Sequence, residues 1–252
     1  MSFALSLGPV VTFLLVTTRL LAAFFIAPPF NGAMVPIRVR LALAGAIALV
    51  VSDQQSIDIE LETLALLGAV TYQVVVGAAF GYLVNLMLSA ATIAGSMVDN
   101  LAGFSAATLF DPFSQSSSSP AARINQVIAL VILVLIEGHL LIVRGILRSF
   151  SAAPIDGLRV DAMGAMLTRG VGQLMIAAIE IALPVLAALL LAEVVLALAA
   201  RAAPRLNVMV VGFAVKSMIL LATFALMVPL VINSVSTLLV RSLRWAMTTT
   251  GA

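Results

Sequence analysis

Residues 63–98 read TLALLGAVTYQVVVGAAFGYLVNLMLSAATIAGSMV and contain no charged side chain. As one helix this stretch would be about 54 Å long at 1.5 Å per residue, whereas the hydrocarbon core of a bilayer is about 30 Å thick. Either the helix extends well beyond lipid or the chain bends back. Gly77 and Gly81 form a G-x-x-x-G pair, which would permit close packing against another helix. The alternative is a chance pairing in a chain rich in small residues.

The composition of the 252 residues excludes an ordinary soluble domain. Hydrophobic residues make up 63% of the chain and charged residues 10%, against about 25% charged residues in soluble domains. Most of the surface must therefore face lipid or other protein. The net charge of +2 comes without a basic tract, so a nucleic-acid partner is not expected. With no cysteine and one histidine, His139, we expect neither a disulfide nor a metal site.

The remaining apolar runs predict an all-α fold made of about six hydrophobic helical segments, arranged as hairpins with broken helices. The segments lie at 8–27, 37–52, 64–94, 124–143, 171–200 and 207–239. Prolines at 28, 29 and 36 end the helix of the first segment. The mixed charges of residues 144–169 indicate a loop.

The distribution of Lys and Arg does not fit six membrane crossings. Loops should alternate in Lys and Arg content from one side of the membrane to the other. The first half of the chain follows this rule, but the loop that should be outside carries four arginines, at 144, 148, 159 and 169. Either a span is miscounted or not all helices cross a bilayer in the finished protein.

Five charges are embedded in apolar runs: Arg19, Glu137, Glu180, Glu193 and Lys216. A charge at the bilayer centre costs about 2.5–3.5 kcal/mol. Glu180 and Glu193 point roughly 140° apart on a helix, so they do not form a carboxylate pair. The embedded charges could relay protons or ions in a transporter. They could instead be buried contacts, such as Glu193 or Glu180 with Lys216.

No enzyme signature accompanies these features. The sequence has no phosphate-binding loop, no G-x-S-x-G and no H-E-x-x-H. We therefore expect no catalytic residue and no cofactor. Residues 99–123 form the longest stretch without a helical pattern, yet they contain Phe104, Phe110 and Phe113. A loop with three phenylalanines usually packs onto something rather than serving as a plain linker.

Four segments, in the same order along the chain, resemble the FliR family of flagellar and injectisome type III export proteins. They are TRLLAAFFIAPPFNGAMVPIRVRLALA (Arg19, Pro28, Phe30, Pro36, Arg40), DNLAGFSAATLFDP (Gly103, Phe104, Ser105, Asp111, Pro112), EGHLLIVRGILRSF (Glu137, Gly138, His139, Ser149, Phe150) and ALPVLAALLLAEVVLALAARAAPRLNVMVVGFAVK (Pro184, Arg201, Pro204, Leu206, Asn207, Gly212, Phe213). The sequence departs from the family at Arg205, where an uncharged polar residue is expected, and at the serine run 116–119.

The resemblance implies a channel subunit of the type III export gate in the bacterial inner membrane, at the flagellar basal body. Its expected partners are FliP and FliQ family subunits, FlhB and FlhA family components, exported unfolded proteins and membrane lipid, with no nucleic acid. One domain, 1–252, would have a FliP-like part at about 1–150 and a FliQ-like part at about 151–252. Helices packed in protein above the membrane plane would account for the failed charge rule.

The resemblance also implies that a loop plugs the channel, at about Leu109–Ser119 in this chain. Its expected members are Leu109, Phe110, Asp111, Pro112 and Phe113, with the two phenylalanines as blocking side chains. Bulky apolar rings can constrict and dewet a pore. Alternatively, these rings anchor the loop on a neighbouring helix. Two other functions stay open at this point: a proton-coupled small-solute transporter using the embedded Glu and Lys residues, and a passive membrane scaffold.

Overall fold

A computed structural model describes residues 7–32, 35–53, 63–104, 119–152, 154, 160–203 and 208–248. Within these ranges the chain is helical and contains no β-strand, as the all-α prediction requires. The helices are α1 (Leu7–Ile26), α2 (Ile37–Ser52), α3 (Thr63–Ala102), α4 (Pro120–Leu135), α5 (Gly138–Ala152), α6 (Val160–Ala202) and α7 (Val208–Thr248). The estimate of about six segments is therefore approximate.

Three helices are far longer than a bilayer is thick. The uncharged stretch forms one continuous helix, α3, of 40 residues, which is about 60 Å at 1.5 Å per residue. The chain does not bend back within it. Helices α6 and α7 have 43 and 41 residues, with Pro184 and Pro229 inside them. Much of their length must therefore lie outside the hydrocarbon core, which is about 30 Å thick.

The segment predicted at 124–143 is not one helix. Helix α4 ends at Leu135 and α5 begins at Gly138. Between them Glu137 has φ 55°, the left-handed region that a non-glycine residue rarely adopts. The Glu137 carbonyl accepts hydrogen bonds from the N–H groups of Leu140 (2.9 Å) and Leu141 (3.3 Å). This carbonyl thus begins a new helix where the old one has ended.

The loop predicted at 144–169 is also wrong, because most of its described residues are helical. In α5, Ile142, Ile146 and Phe150 are buried, while Arg144 and Arg148 are exposed. This spacing is that of an amphipathic helix. Two of the charges that suggested a loop, Arg144 and Arg148, form the exposed face of α5.

The chain divides into two compact units, each with its own packing. Unit 1 comprises Met1–Leu86, Glu137–Val171 and Leu239–Ala252, and unit 2 comprises Met87–Ile136 and Gly172–Leu238. In unit 1, α1 packs against α2 and buries Leu15, Val16, Leu20, Ala23 and Phe24. In unit 2, the fully buried side chains include Leu133, Ile181, Val185, Leu189, Met227 and Val231.

The G-x-x-x-G pair of α3 lies directly against α1. A Cβ placed on Gly77 would collide with the backbone carbonyl oxygen of Arg19, and one on Gly81 would lie 2.7 Å from the carbonyl oxygen of Ala23. The predicted close approach of a second helix is therefore confirmed. Only glycine leaves room for the two backbones at this distance.

Four helical segments are long and apolar enough to cross a membrane. They are Gly8–Ile26, Thr63–Ala102, Leu167–Ala202 and Val210–Ser234, and a fifth results if α4 and α5 together form one bent span. Helix α2, with 16 residues, does not reach the usual length of a span. Six crossings are thus not found in the described residues. The alternation of Lys and Arg between loops was expected for six crossings, so that expectation no longer applies.

Candidate functional site

The best-defined polar site of unit 2 lies on either side of the segment 105–118, which contains the predicted plug residues. We call it the loop neck: residues 99–104 at the end of α3 and 119–122 at the start of α4. Asp99 of α3 is 1% exposed. Its Oδ1 accepts a hydrogen bond from the N–H of Ala121 (3.1 Å), and its Oδ2 accepts one from the N–H of Ala122 (3.0 Å).

Asp99 caps the N-terminus of α4, because no described residue next to α4 in the sequence does so. Ser119 occupies the N-cap position but makes no side-chain capping bond. The first N–H groups of a helix have no partner within it, and they favour a negative charge. Asp99 therefore joins the end of α3 to the start of α4 through a charge-assisted hydrogen bond pair.

The backbones at the loop neck are close together. A Cβ on Gly95, one turn before Asp99, would lie 2.5 Å from the Cα of Ala122. Gly103 has φ +91° and donates its N–H to the Asp99 carbonyl oxygen (3.1 Å), which ends α3. Glycine is thus required at both positions, for space at Gly95 and for conformation at Gly103.

Helix α7 holds the α3 side of the neck. Lys216 Nζ donates to the Leu101 carbonyl oxygen (3.2 Å) and forms a salt bridge with Glu193 Oε1 (3.2 Å). Cations are favoured at helix C-termini, where the last carbonyls lack partners. Phe213, one turn before Lys216, packs edge-on against Phe104 with ring centroids 5.5 Å apart.

Unit 1 has a buried polar cluster around Arg19, the largest fully buried side chain. Arg19 Nε donates to Gln73 Oε1 of α3 (2.6 Å), and Nη1 donates to the Ser149 carbonyl oxygen of α5 (2.9 Å). The guanidinium lies over the Phe150 ring, 4.2 Å from its centroid. Arg19 thus connects α1, α3 and α5 by directional contacts.

The other embedded charges have different surroundings. Of the two pairings that the sequence suggested for Lys216, the structure forms the one with Glu193, whose side chain is still 51% exposed. Glu180 and Glu137 are both exposed. The five embedded charges therefore do not share a single site: Glu193 pairs with Lys216, and Arg19 lies in a separate cluster of unit 1. Within the described ranges no three His, Asp or Glu side chains come together as metal ligands do.

Sequence reasoning missed Asp99 and Gln73, and it named Ser149 only as part of a family motif. Asp99 was treated only as the end of an uncharged run, although a helix that begins at Pro120 without a local capping bond needs a remote one. Gln73 is a polar residue in the middle of that run and could have been recognised as a buried partner. The predicted plug residues 109–113 lie outside the described residues.

Fold and site together define a helical membrane protein with several helices long and apolar enough to cross a bilayer. Residues 10–242 match the family described as bacterial export proteins, family 1. The chain belongs to this family.

Curated relatives are similar over most of their length. The chain is 28% identical to flagellar biosynthetic protein FliR of Escherichia coli (strain K12), covering 84% of this chain and 82% of that protein. It is also 28% identical to FliR of Bacillus subtilis (strain 168), covering 92% and 93%. Identity to Yop proteins translocation protein T of Yersinia pestis is 27%, covering 84% and 83%. None of these similarities supports the transporter hypothesis.

Removing the remote cap should destabilise the loop neck. We expect Asp99→Ala to lower the free energy of unfolding by about 1–3 kcal/mol, because two buried N–H groups lose their acceptors. Asp99→Asn, which keeps one acceptor oxygen, should cost less. Thermal unfolding in detergent measures the loss, with Asp53→Ala, an exposed acid at the end of α2, as the control. Equal stability of Asp99→Ala and the parent protein would contradict the capping role.

Proposed function

We propose that this chain is a subunit of the type III protein export gate and forms part of the channel through which unfolded flagellar or secreted proteins cross the bacterial inner membrane. The observation that carries the proposal is the family match over residues 10–242. Relatives named for flagellar biosynthesis and for protein translocation support it. Because most of the similar proteins are named as flagellar, we place the chain at the flagellar basal body.

The exposed apolar surface supports a role within a larger assembly. Large hydrophobic side chains such as Leu135, Leu191 and Leu221 are 69–76% exposed. Helices α3, α6 and α7 are also longer than a bilayer is thick. Apolar surface outside lipid needs protein to cover it. We propose that FliP and FliQ family subunits cover it, with FlhB and FlhA family components nearby. The chain would contribute a FliP-like part at 1–150 and a FliQ-like part at 151–252.

We further propose that Leu109, Phe110, Asp111, Pro112 and Phe113 plug the channel. This assignment rests on the resemblance to the FliR family. The geometry of the loop neck supports it, because Asp99 ties the end of α3 to the start of α4 and Lys216 binds the Leu101 carbonyl oxygen at the end of α3. A plug has to be held at its base if its tip is to block a pore repeatedly in one place.

Loss of the proposed plug should make the membrane leak ions. Replacing both Phe110 and Phe113 by Ala removes the two bulky rings, and we expect the conductance of cells or vesicles containing the assembled gate to rise at least severalfold. The matched control is Phe30→Ala, which removes a ring that packs on Phe24 in unit 1, at 4.6 Å between centroids. Unchanged conductance in the double variant would show that the rings anchor the loop instead.

Copurification tests the proposed function itself. The full chain, tagged and extracted from its own bacterium in mild detergent, should carry other hydrophobic export subunits with it in a fixed stoichiometry. A stable, isolated chain without such partners would contradict the proposal and favour a protein that acts alone. Loss of motility on deletion of the gene would assign the flagellar system, whereas loss of secretion without loss of motility would assign an injectisome.

A further inference from the structure

Helix α6 presents a broad apolar surface that the described residues of the chain leave open. We call it the α6 stripe. Its large side chains are 49–69% exposed: Ile176, Ile179, Leu183, Leu190, Leu191, Val194, Val195 and Leu198. At 100° per residue they cover an arc of about 160°. The opposite side of α6 is buried within unit 2, at Ala178, Ile181, Ala182, Val185 and Leu189.

A carboxylate stands within this stripe. Glu180 is exposed, and its direction on α6 lies about 20° from the centre of the arc. It lies within about 7 Å of the midpoint of the apolar segment Leu167–Ala202. The described part of the chain places no Lys or Arg within salt-bridge distance of it.

The other glutamate of α6 has a different environment, which makes Glu180 informative. Glu193 lies about 40° beyond the edge of the stripe and pairs with Lys216. Had the stripe faced lipid alone, an ionised carboxylate near the middle of the segment would be strongly disfavoured. A carboxylate within an apolar surface is compatible with a partner surface that is also apolar but carries one positive charge opposite the carboxylate.

We propose that the α6 stripe docks an apolar helix of another export-gate subunit, and that this helix carries a Lys or Arg opposite Glu180. The inference rests on the proposed function. The large side chains on either side of Glu180 would exclude water from the ion pair. Such a pair contributes specificity, because a helix without the cation, or in another register, would leave the carboxylate buried and unpaired.

Charge reversal at Glu180 tests the docking. In the full chain, expressed in its own bacterium, Glu180→Lys should lower the yield of the detergent-extracted gate complex about tenfold or more, and Glu180→Gln should lower it less. Asp53→Lys, which reverses an exposed acid at the end of α2, should leave the yield unchanged. A Lys or Arg to Glu change in the partner helix should restore assembly with Glu180→Lys. Parental yields of both Glu180 variants would overturn the inference.

Crosslinking supplies a measurement that does not depend on a damaging substitution. A photoreactive residue at Leu183 or Leu190 should form an adduct with a Lys- or Arg-bearing helix of another gate subunit. Adducts with lipid alone, or with a second copy of this chain, would overturn the inference. If the parent chain copurifies with no export subunit, the proposed function fails. If it does copurify and the Glu180 variants do too, only the docking inference fails.

Discussion

Arg19→Ala is expected to lower the free energy of unfolding by about 3–5 kcal/mol. The substitution opens a cavity at the largest fully buried side chain. It also removes donors from the Gln73 amide oxygen and the Ser149 carbonyl oxygen, both buried, and unmet buried acceptors are costly. Because these partners lie on α3 and α5, three helices lose a shared contact. Thermal or denaturant unfolding in detergent measures the change.

Two further variants separate the geometry of Arg19 from its charge. Arg19→Lys keeps the positive charge but lacks the planar fork that reaches Gln73 and Ser149 together, so it should recover only part of the lost stability. Arg38→Ala, which removes an exposed arginine of α2, should have little effect. Full recovery by Arg19→Lys would show that charge alone matters. A stable Arg19→Ala would contradict the proposed connection of α1, α3 and α5.

Gly77→Ala is expected to destabilise the protein by about 1–3 kcal/mol, as overpacking does in a tight core. The new methyl group would collide with the Arg19 carbonyl oxygen and reach within 3.0 Å of the Ala22 Cβ, so α1 and α3 would have to separate. This separation would also disturb the hydrogen bond between Arg19 and Gln73. The same unfolding measurement applies.

Gly68 provides a matched control in the same helix. A Cβ there would meet nothing within 4 Å, so Gly68→Ala should be neutral or stabilise α3 by up to about 1 kcal/mol through helix propensity. The different effects expected for two identical substitutions exclude a general effect of alanine. Equal effects at the two positions would contradict the close packing of α3 on α1.

The long helices were predictable because their signal is local. An uncharged run such as 63–98 has only one way to satisfy its backbone in an apolar environment, as a helix. The G-x-x-x-G pair likewise indicated its own packing contact. Helix α5 was missed because Arg144 and Arg148 form its exposed face. The number of charges in a segment suggests a loop, whereas their spacing of four residues is that of one face of a helix.

The polar contacts were less predictable, because their partners are far apart in sequence. Asp99 caps a helix 22 residues further on. Arg19 was recognised as an embedded charge, but no partner was predicted for it. Its partners include an amide, a backbone carbonyl and an aromatic ring, which carry no charge signal. Only the folded arrangement of α1, α3 and α5 brings these groups together.

The most direct test of the central claim is the export of type III substrates in the native bacterium with and without this chain. Deleting the gene should abolish the appearance of exported subunits outside the cell, and expression of the parent chain from a plasmid should restore it. Unchanged export in the deletion strain would contradict a role for the chain in the export gate.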